Sequence, residues 1–316
     1  MADVEIVEVG PRDGLQNIQK FIPNNVKADL IRRLVDAGFT RLELGSFVSP
    51  KAIPQMTGIE DVIAEVMPLP EGVRGMALVP NTIGAERAMK AGVTSLIFVI
   101  SMSEAHNQSN VRRSVDASIE DLRTLLEQVD PAGRLTMRIG LATCFHCPFD
   151  GVMDEKQVLS TIEKIVALRE GMDLTISDTT GMATPDHVKR LATRCLDAFG
   201  GSATFGFHGH DTAGFAIANI LAAMEAGIRS FDTSVAGLGG CPFAPGATGN
   251  VASEDVVYLF QRLGLTTGID LGKLIDAGTM ILEASGVRHA SHARAISRKR
   301  LFADLTGQRP AEGVMG

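Results

Sequence analysis

The sequence predicts a (β/α)8 TIM barrel, on three observations. Short apolar, β-rich runs recur eight times across about 250 residues, the length typical of such a barrel. Helical periods fill the gaps between them, and several close on a glycine. The runs are continuous rather than alternating, as in parallel strands covered on both faces. A doubly wound sheet is the alternative, but about six strands usually suffice for it.

The runs fall at about 4–10, 41–47, 74–80, 95–101, 136–142, 173–179, 203–209 and 230–236. Residues 24–37 place Val26, Leu30, Leu34 and Ala37 on one helical face and end at Gly38; residues 81–91 end at Gly92. Residues 115–129 align Ile119, Leu122, Leu126 and Val129. Residues 154–170 align Val158, Ile162, Ile165 and Leu168 and stop at Gly171. Helices at 185–198, 213–226 (ending at Gly227) and 252–263 complete the alternation. The chain is expected to be one catalytic domain over 1–316, with about 265–305 as helices packed on the barrel.

Composition narrows the function. A net charge of −7, with no basic run or aromatic-interleaved patch, argues against nucleic acid. No apolar run approaches membrane-span length, and the first strand begins too early for a signal or transit peptide. Four cysteines in 316 residues suggest a reducing, cytoplasmic compartment.

In a barrel of this kind, reacting groups stand at the C-terminal ends of the strands. The seventh run, Ala203-Thr204-Phe205-Gly206-Phe207, ends in His208-Gly209-His210-Asp211. Two histidines at i and i+2 on a strand share a face, and beside a carboxylate they have a metal-ligand geometry. Two hydrogen-bonded histidines at a strand end are the plainer alternative. The first run ends Glu8-Val9-Gly10-Pro11-Arg12-Asp13-Gly14: Arg12 offers a fixed charge for a carbonyl or enolate oxygen, and Asp13 a hard oxygen ligand. Glu43 sits inside an apolar run, where an unpaired carboxylate is costly, so it should meet a cation or donor. Asp178 ends the sixth run as another inward-capable carboxylate.

Three further stretches carry chemistry. A polar loop is expected at 101–113, with Arg112-Arg113 suited to phosphate or carboxylate. Cys144-Phe145-His146-Cys147 suggests a redox pair or half a zinc site, though no second such pair exists. After the eighth run comes Gly237 through Asn250, a glycine- and proline-rich stretch with the features of an active-site flap, holding Cys241 as a candidate acid/base.

Taken together these motifs resemble the 3-hydroxy-3-methylglutaryl-CoA lyase family, metal-dependent barrel lyases related to isopropylmalate synthases. The resemblance covers about 4–300 and rests on Val7 through Asn17, Ser46 through Lys51, His208 through Thr212, and Ser234 through Asn250. It implies a divalent metal, magnesium or manganese, held by Asp13, His208, His210 and Asn250. It implies that Arg12 stabilises the enolate of the departing acetyl-CoA and that Cys241 moves a proton at its methyl carbon. Glu8, Glu43 and Asp178 line the same pocket in the family, and His208 and Glu8 are both candidates for the hydroxyl proton. The expected substrate is an acyl-CoA, cleaved to acetyl-CoA and acetoacetate, in a homo-oligomer that resemblance makes a dimer. A lyase for a related 3-hydroxyacyl-CoA, a condensing enzyme of the isopropylmalate- or citramalate-synthase kind, and a non-enzymatic CoA-binding module are the alternatives.

Overall fold

A computed structural model describes residues 2–240 and 249–305. Eight described strands close into a parallel barrel: β1 (Glu5–Glu8), β2 (Arg41–Ser46), β3 (Arg74–Leu78), β4 (Ser95–Ser101), β5 (Thr136–Ala142), β6 (Met172–Asp178), β7 (Ala203–Gly209) and β8 (Ser230–Thr233). Each strand pairs with its sequence neighbours, and β1 closes the ring against β8 with Glu5 opposite Ser230 and Glu8 opposite Thr233. All eight lie within the predicted runs to within about three residues.

The helices follow the apolar periods: α1 (Asn24–Asp36), α2 (Ile59–Val66), α3 (Thr82–Lys90), α4 (Glu104–Val111), α5 (Val115–Val129), α6 (Glu155–Val166), α7 (Pro185–Phe199), α8 (Ala216–Ala226) and α9 (Ser253–Arg262). The start of α5 shows how side chains set a boundary: Ser114 Oγ accepts from the Ala117 N–H at 3.1 Å, satisfying an otherwise orphan donor. At the end of α8, Gly227 adopts φ 117°, a conformation other residues rarely reach. Beyond α9, α10 (Leu271–Ser285) packs against α1, and α11 (Arg298–Leu305) buries Leu301. No described helix is long and apolar enough to cross a membrane.

Two elements depart from the sequence reading. Helix α2 buries Ile59, Val62, Ile63 and Val66, but two turns flanked by prolines carry too short a period to stand out. The expected polar loop at 101–113 is instead largely α4, which buries polar residues, His106 and Asn107. Asn107 explains why: its side chain accepts from the Ser101 N–H and donates to the Arg113 and Ser114 carbonyls. Arg113 turns away to pair with Asp121 on α5. Arg113 is therefore engaged within the fold, while Arg112 is exposed.

The outer core lies between sheet and helices, while the barrel interior holds an apolar cluster and a charged ladder. Val7, Val9, Met76 and Ile97 form a separate buried cluster, with Leu78 and Val99 against it. The remaining strands fill the axis with charge. Arg41 donates to Glu5 Oε2 at 2.6 Å and to Asp173. Arg138, fully enclosed on β5, lies 3.5 Å from Asp173 and donates to Thr175 Oγ1 at 2.8 Å and Asp232 Oδ1 at 2.7 Å. Removing one member of such a ladder strands its partners without solvent. Arg138→Ala should therefore lower unfolding free energy by about 3–5 kcal/mol; urea titration followed by circular dichroism reads this, and a loss below about 1 kcal/mol, as at an ordinary surface pair, would contradict it.

Candidate active site

The first functional side chains are aimed by a turn. After β1 the chain makes a five-residue π-type turn, Gly10–Gly14, in which the Gly14 N–H reaches back to the Val9 carbonyl at 3.3 Å. The turn projects Arg12 and Asp13 over the barrel mouth. Arg12 Nε donates to Glu43 and its Nη1 to Asp13 Oδ1 at 2.5 Å. Glu43, buried on β2 next to a register irregularity between Glu43 and Gly45, thus meets the cation its burial demanded. Burial opposes the charge on Arg12, but Glu43 and Asp13 outweigh it and hold the guanidinium more firmly protonated.

The histidines come from β7 and the residue beyond it, with ring centres 5.2 Å apart. His208 Nδ1 lies 3.2 Å from Asp232 Oδ2 on the neighbouring strand. An ionised carboxylate only accepts, so the proton sits on Nδ1 and Nε2 is left for a ligand. Burial works against a charged His208, and the Asp232 contact raises its pKa over that effect. His210 is depressed to about 4 by burial and then by His208, so it is neutral and ready to ligate. Its Nδ1 is enclosed without a hydrogen-bond partner.

Asn250 reaches the same place from the far end of the chain. It bridges His210 through backbone pairing and donates to Asp13 Oδ2 at 2.7 Å. Gly239 lets it in: φ is 126°, and a Cβ there would lie 2.6 Å from Asn250 Nδ2. Burial opposes ionisation of Asp13, yet Arg12, both histidines and Asn250 hold it below the usual carboxylate range.

Ligand atoms of Asp13, His208 and His210 lie within 4.8 Å of one another. One carboxylate oxygen and two imidazoles, one of them with an orphaned buried Nδ1, fit a divalent cation of the magnesium or manganese kind. These residues open onto a cavity of about 210 Å³ that Arg12, Glu43, Arg138 and Asp232 also line.

The other expected residues stand apart from the cavity lining. Glu8 is enclosed beneath the turn: it accepts from the N–H groups of Gly10 and Val235 at 2.8 and 2.9 Å and from Ser253 Oγ at 2.6 Å. Asp178 accepts from the Met182 and Ala183 N–H groups at 3.1 and 3.0 Å, shaping the loop after β6. Burial pushes it up to about 6. Cys144 and Cys147 are buried free thiols, hydrogen-bonded to the Leu141 carbonyl and to Ser103 Oγ, with no disulfide between them. Cys241 lies outside the described residues. Arg138 and Asp232 were missed by sequence reasoning. The available signal was the one that flagged Glu43, a charge inside an apolar run.

A family model described as HMGL-like matches residues 3–281. The chain belongs to the HMGL-like family. It is 38% identical to the hydroxymethylglutaryl-CoA lyase of Pseudomonas mevalonii, over 93% of this chain and 96% of that one. It is 39% identical to the (R)-citramalyl-CoA lyase of Chloroflexus aurantiacus, over 90% of this chain and 92% of that one. The crystal structure of hydroxymethylglutaryl-CoA lyase from Pseudomonas aeruginosa superposes with a TM-score of 0.89 at 40% identity, covering 96% and 98% of the two chains. The family resemblance, the barrel and the carbon–carbon lyase class expected from the sequence are borne out by these relatives.

Two outcomes follow. His210→Ala and Asp13→Ala should each abolish Mn²⁺ retention while circular dichroism stays that of the folded barrel; calorimetric Mn²⁺ binding at wild-type affinity would remove the residue from the set. The second concerns Glu8, which burial pushes up to about 8 against its three donors. The folded state keeps this proton while the unfolded chain releases it near 4.5. The group's stabilisation is thus full below pH 4.5 and is lost as pH rises towards 8. Glu8→Gln should flatten that decline, so that melts at pH 5.5 and 8.5 differ less than in wild type; an equal difference would show Glu8 ionised throughout.

Proposed function

We propose that this chain cleaves 3-hydroxy-3-methylglutaryl-CoA to acetyl-CoA and acetoacetate with a bound magnesium or manganese ion. The observation that carries the reading is the convergence of Asp13, His208 and His210 beside a fixed guanidinium, Arg12, on one cavity. Hydroxymethylglutaryl-CoA lyase relatives at 38% identity over nearly the whole chain support the same substrate.

Asp13, His208 and His210 hold the ion, with Asn250 positioning Asp13 and standing ready as a further oxygen ligand. When bound, the ion supplies Lewis-acid chemistry that lowers the pKa of the tertiary hydroxyl. The hydroxyl proton passes to solvent water in the open cavity, since His208 commits its Nδ1 proton to Asp232 and its Nε2 to the ion. Glu8, with both oxygens engaged beneath the turn, supports Arg12 rather than moving that proton. The bond between the second and third acyl carbons breaks, its electron pair passing to the thioester as an enolate while the third carbon becomes a ketone. Arg12, locked between Glu43 and Asp13, presents a preorganised charge to the enolate oxygen. Cys241 is assigned, from the motif that carries it, the proton delivered to the enolate carbon. Residues 1–316 act as one catalytic domain in a homo-oligomer.

The similarity to an (R)-citramalyl-CoA lyase favours a second reading, in which the same chemistry serves a related 3-hydroxyacyl-CoA. The deciding experiment is product analysis on metal-depleted and Mn²⁺-reloaded protein. Equal acetyl-CoA and acetoacetate, formed only after reloading, is the expected result; no thioester cleavage after reloading rejects the reading. Arg12→Lys should keep Mn²⁺ binding and lose about 10²–10³-fold in kcat, the typical effect of removing one oriented donor. A rise in KM at constant kcat would make Arg12 a binding residue only.

A further inference from the structure

The chain leaves β8 through a strained residue. Ala236, in the tight turn Val235–Gly237, has φ 57° and ψ 13°, a left-handed conformation that is unfavourable for any residue with a side chain. Such a conformation persists only where its surroundings over-determine it. Both polar groups of Ala236 are held. Its N–H donates to Glu254 Oε2 at 2.8 Å, and its carbonyl accepts from the Ala290 N–H at 3.0 Å. Neither partner belongs to the strand that Ala236 leaves. Glu254 lies in the first turn of α9, and Ala290 in the segment after α10.

That segment is fastened to α9. Asp255 accepts from Ser291 Oγ and the Ala293 N–H, both at 2.7 Å, and from the His292 N–H at 2.9 Å. Arg294 then reaches in between α9 and α10. Its Nη1 donates to Glu254 Oε1 at 3.2 Å and to the Ile275 carbonyl at 2.8 Å, and its Nη2 donates to Thr279 Oγ1 at 2.8 Å. Glu254, which has no exposed surface, therefore holds Arg294 with one oxygen and Ala236 with the other. Gly278 makes the passage for this pair. A glycine inside a helix weakens it, yet a Cβ at this point of α10 would lie 2.6 Å from Arg294 Nη1 and 2.8 Å from Glu254 Oε1.

Ala236 directs the chain towards the cation site. Two residues on, the Leu238 carbonyl accepts from Asn250 Nδ2 at 3.2 Å, and Gly239 closes on the same amide. Leu238 also packs against the turn that carries Arg12 and Asp13: a Cβ on Gly14 would lie 3.0 Å from Leu238 Cβ. Asn250 in turn donates to Asp13 Oδ2. A change of direction at Ala236 moves the stretch wedged between Asn250 and that turn.

We propose that the segment after α10 sets the geometry of the cation site, with Arg294 as a positioning residue that acts through Glu254 and Ala236 on Asn250 and Asp13. This rests on the metal-dependent reading above. Arg294 stands outside the cavity lining, so its influence on the ion travels through the backbone that follows β8. Removing Arg294 loosens Glu254, and Ala236 then relaxes from its left-handed conformation and carries Leu238 and Gly239 away from Asn250.

The test is calorimetric Mn²⁺ binding to the full chain. Arg294→Met should weaken binding by about tenfold, the lower end of the usual effect of losing an outer partner of a metal ligand. Adding Ala236→Gly to Arg294→Met should return the affinity to within about threefold of wild type, because glycine adopts the same φ without the clamp. Gly278→Ala gives an independent reading should Arg294→Met not fold. Its methyl favours α10 but parts Arg294 from Glu254, so the melting temperature should hold or rise while Mn²⁺ affinity falls about tenfold. Wild-type affinity in the folded variants overturns the proposal and leaves the metal reading standing. A loss that Ala236→Gly does not restore overturns the route through Ala236, and with it the proposal. No Mn²⁺ binding by the wild type overturns the metal reading and the proposal together.

Discussion

Asp232 is held between a guanidinium and an imidazole, and the site is organised around that position. A carboxylate on the inside of a barrel strand, almost without solvent, needs partners of opposite sign. Arg138 supplies one from β5 and His208 the other from β7. Arg138 also faces Asp173, which Arg41 joins to Glu5 at the opposite end of the strands. The alternation of sign makes each charge tolerable only because its neighbours are in place. The order passes from this ladder to His208, whose tautomer it fixes, and from His208 to the cation site.

Arg12 solves a different problem. A cation destined to meet a developing negative charge must not be drawn into the metal set or relax into water. Contacts with Glu43 on one side and Asp13 on the other hold the planar fork in place before any substrate arrives. Asp13 serves both centres at once, touching Arg12 through one oxygen and Asn250 through the other. The guanidinium and the candidate ligand set are linked through this one carboxylate.

The strands were legible because each is a continuous apolar run bounded by turn residues, and the longer helices because their apolar faces repeat over three turns or more. Helix α2 has only two turns between prolines, and α4 hides its burial in His106 and Asn107 rather than in aliphatic side chains, so neither left a periodic trace. At the site, residue type was legible but orientation was not. Arg12, Asp13, Glu43, His208 and His210 stand where strand ends and period-two alternation put them. Glu8 and Asp178 sit at equally plausible strand ends, yet backbone N–H groups capture both, through turns that no spacing rule specifies. Arg138 and Asp232 were passed over because each is one charge inside a run that otherwise reads as buried strand. Cys241 lies outside the described residues.

The hydrogen bond between Asn250 and Asp13 joins residues 237 positions apart. At ordinary rates of synthesis, about 5–20 residues per second, the second emerges roughly 12–47 s after the first. For most of that interval the nascent chain carries Arg12, Asp13 and Glu43 without Asn250 or the histidine pair. The centre is consequently a seam between the first and last units of the polypeptide, completed only when the ring shuts. A growing chain can build helices and a partial sheet, but the full candidate cation site belongs to the finished barrel alone.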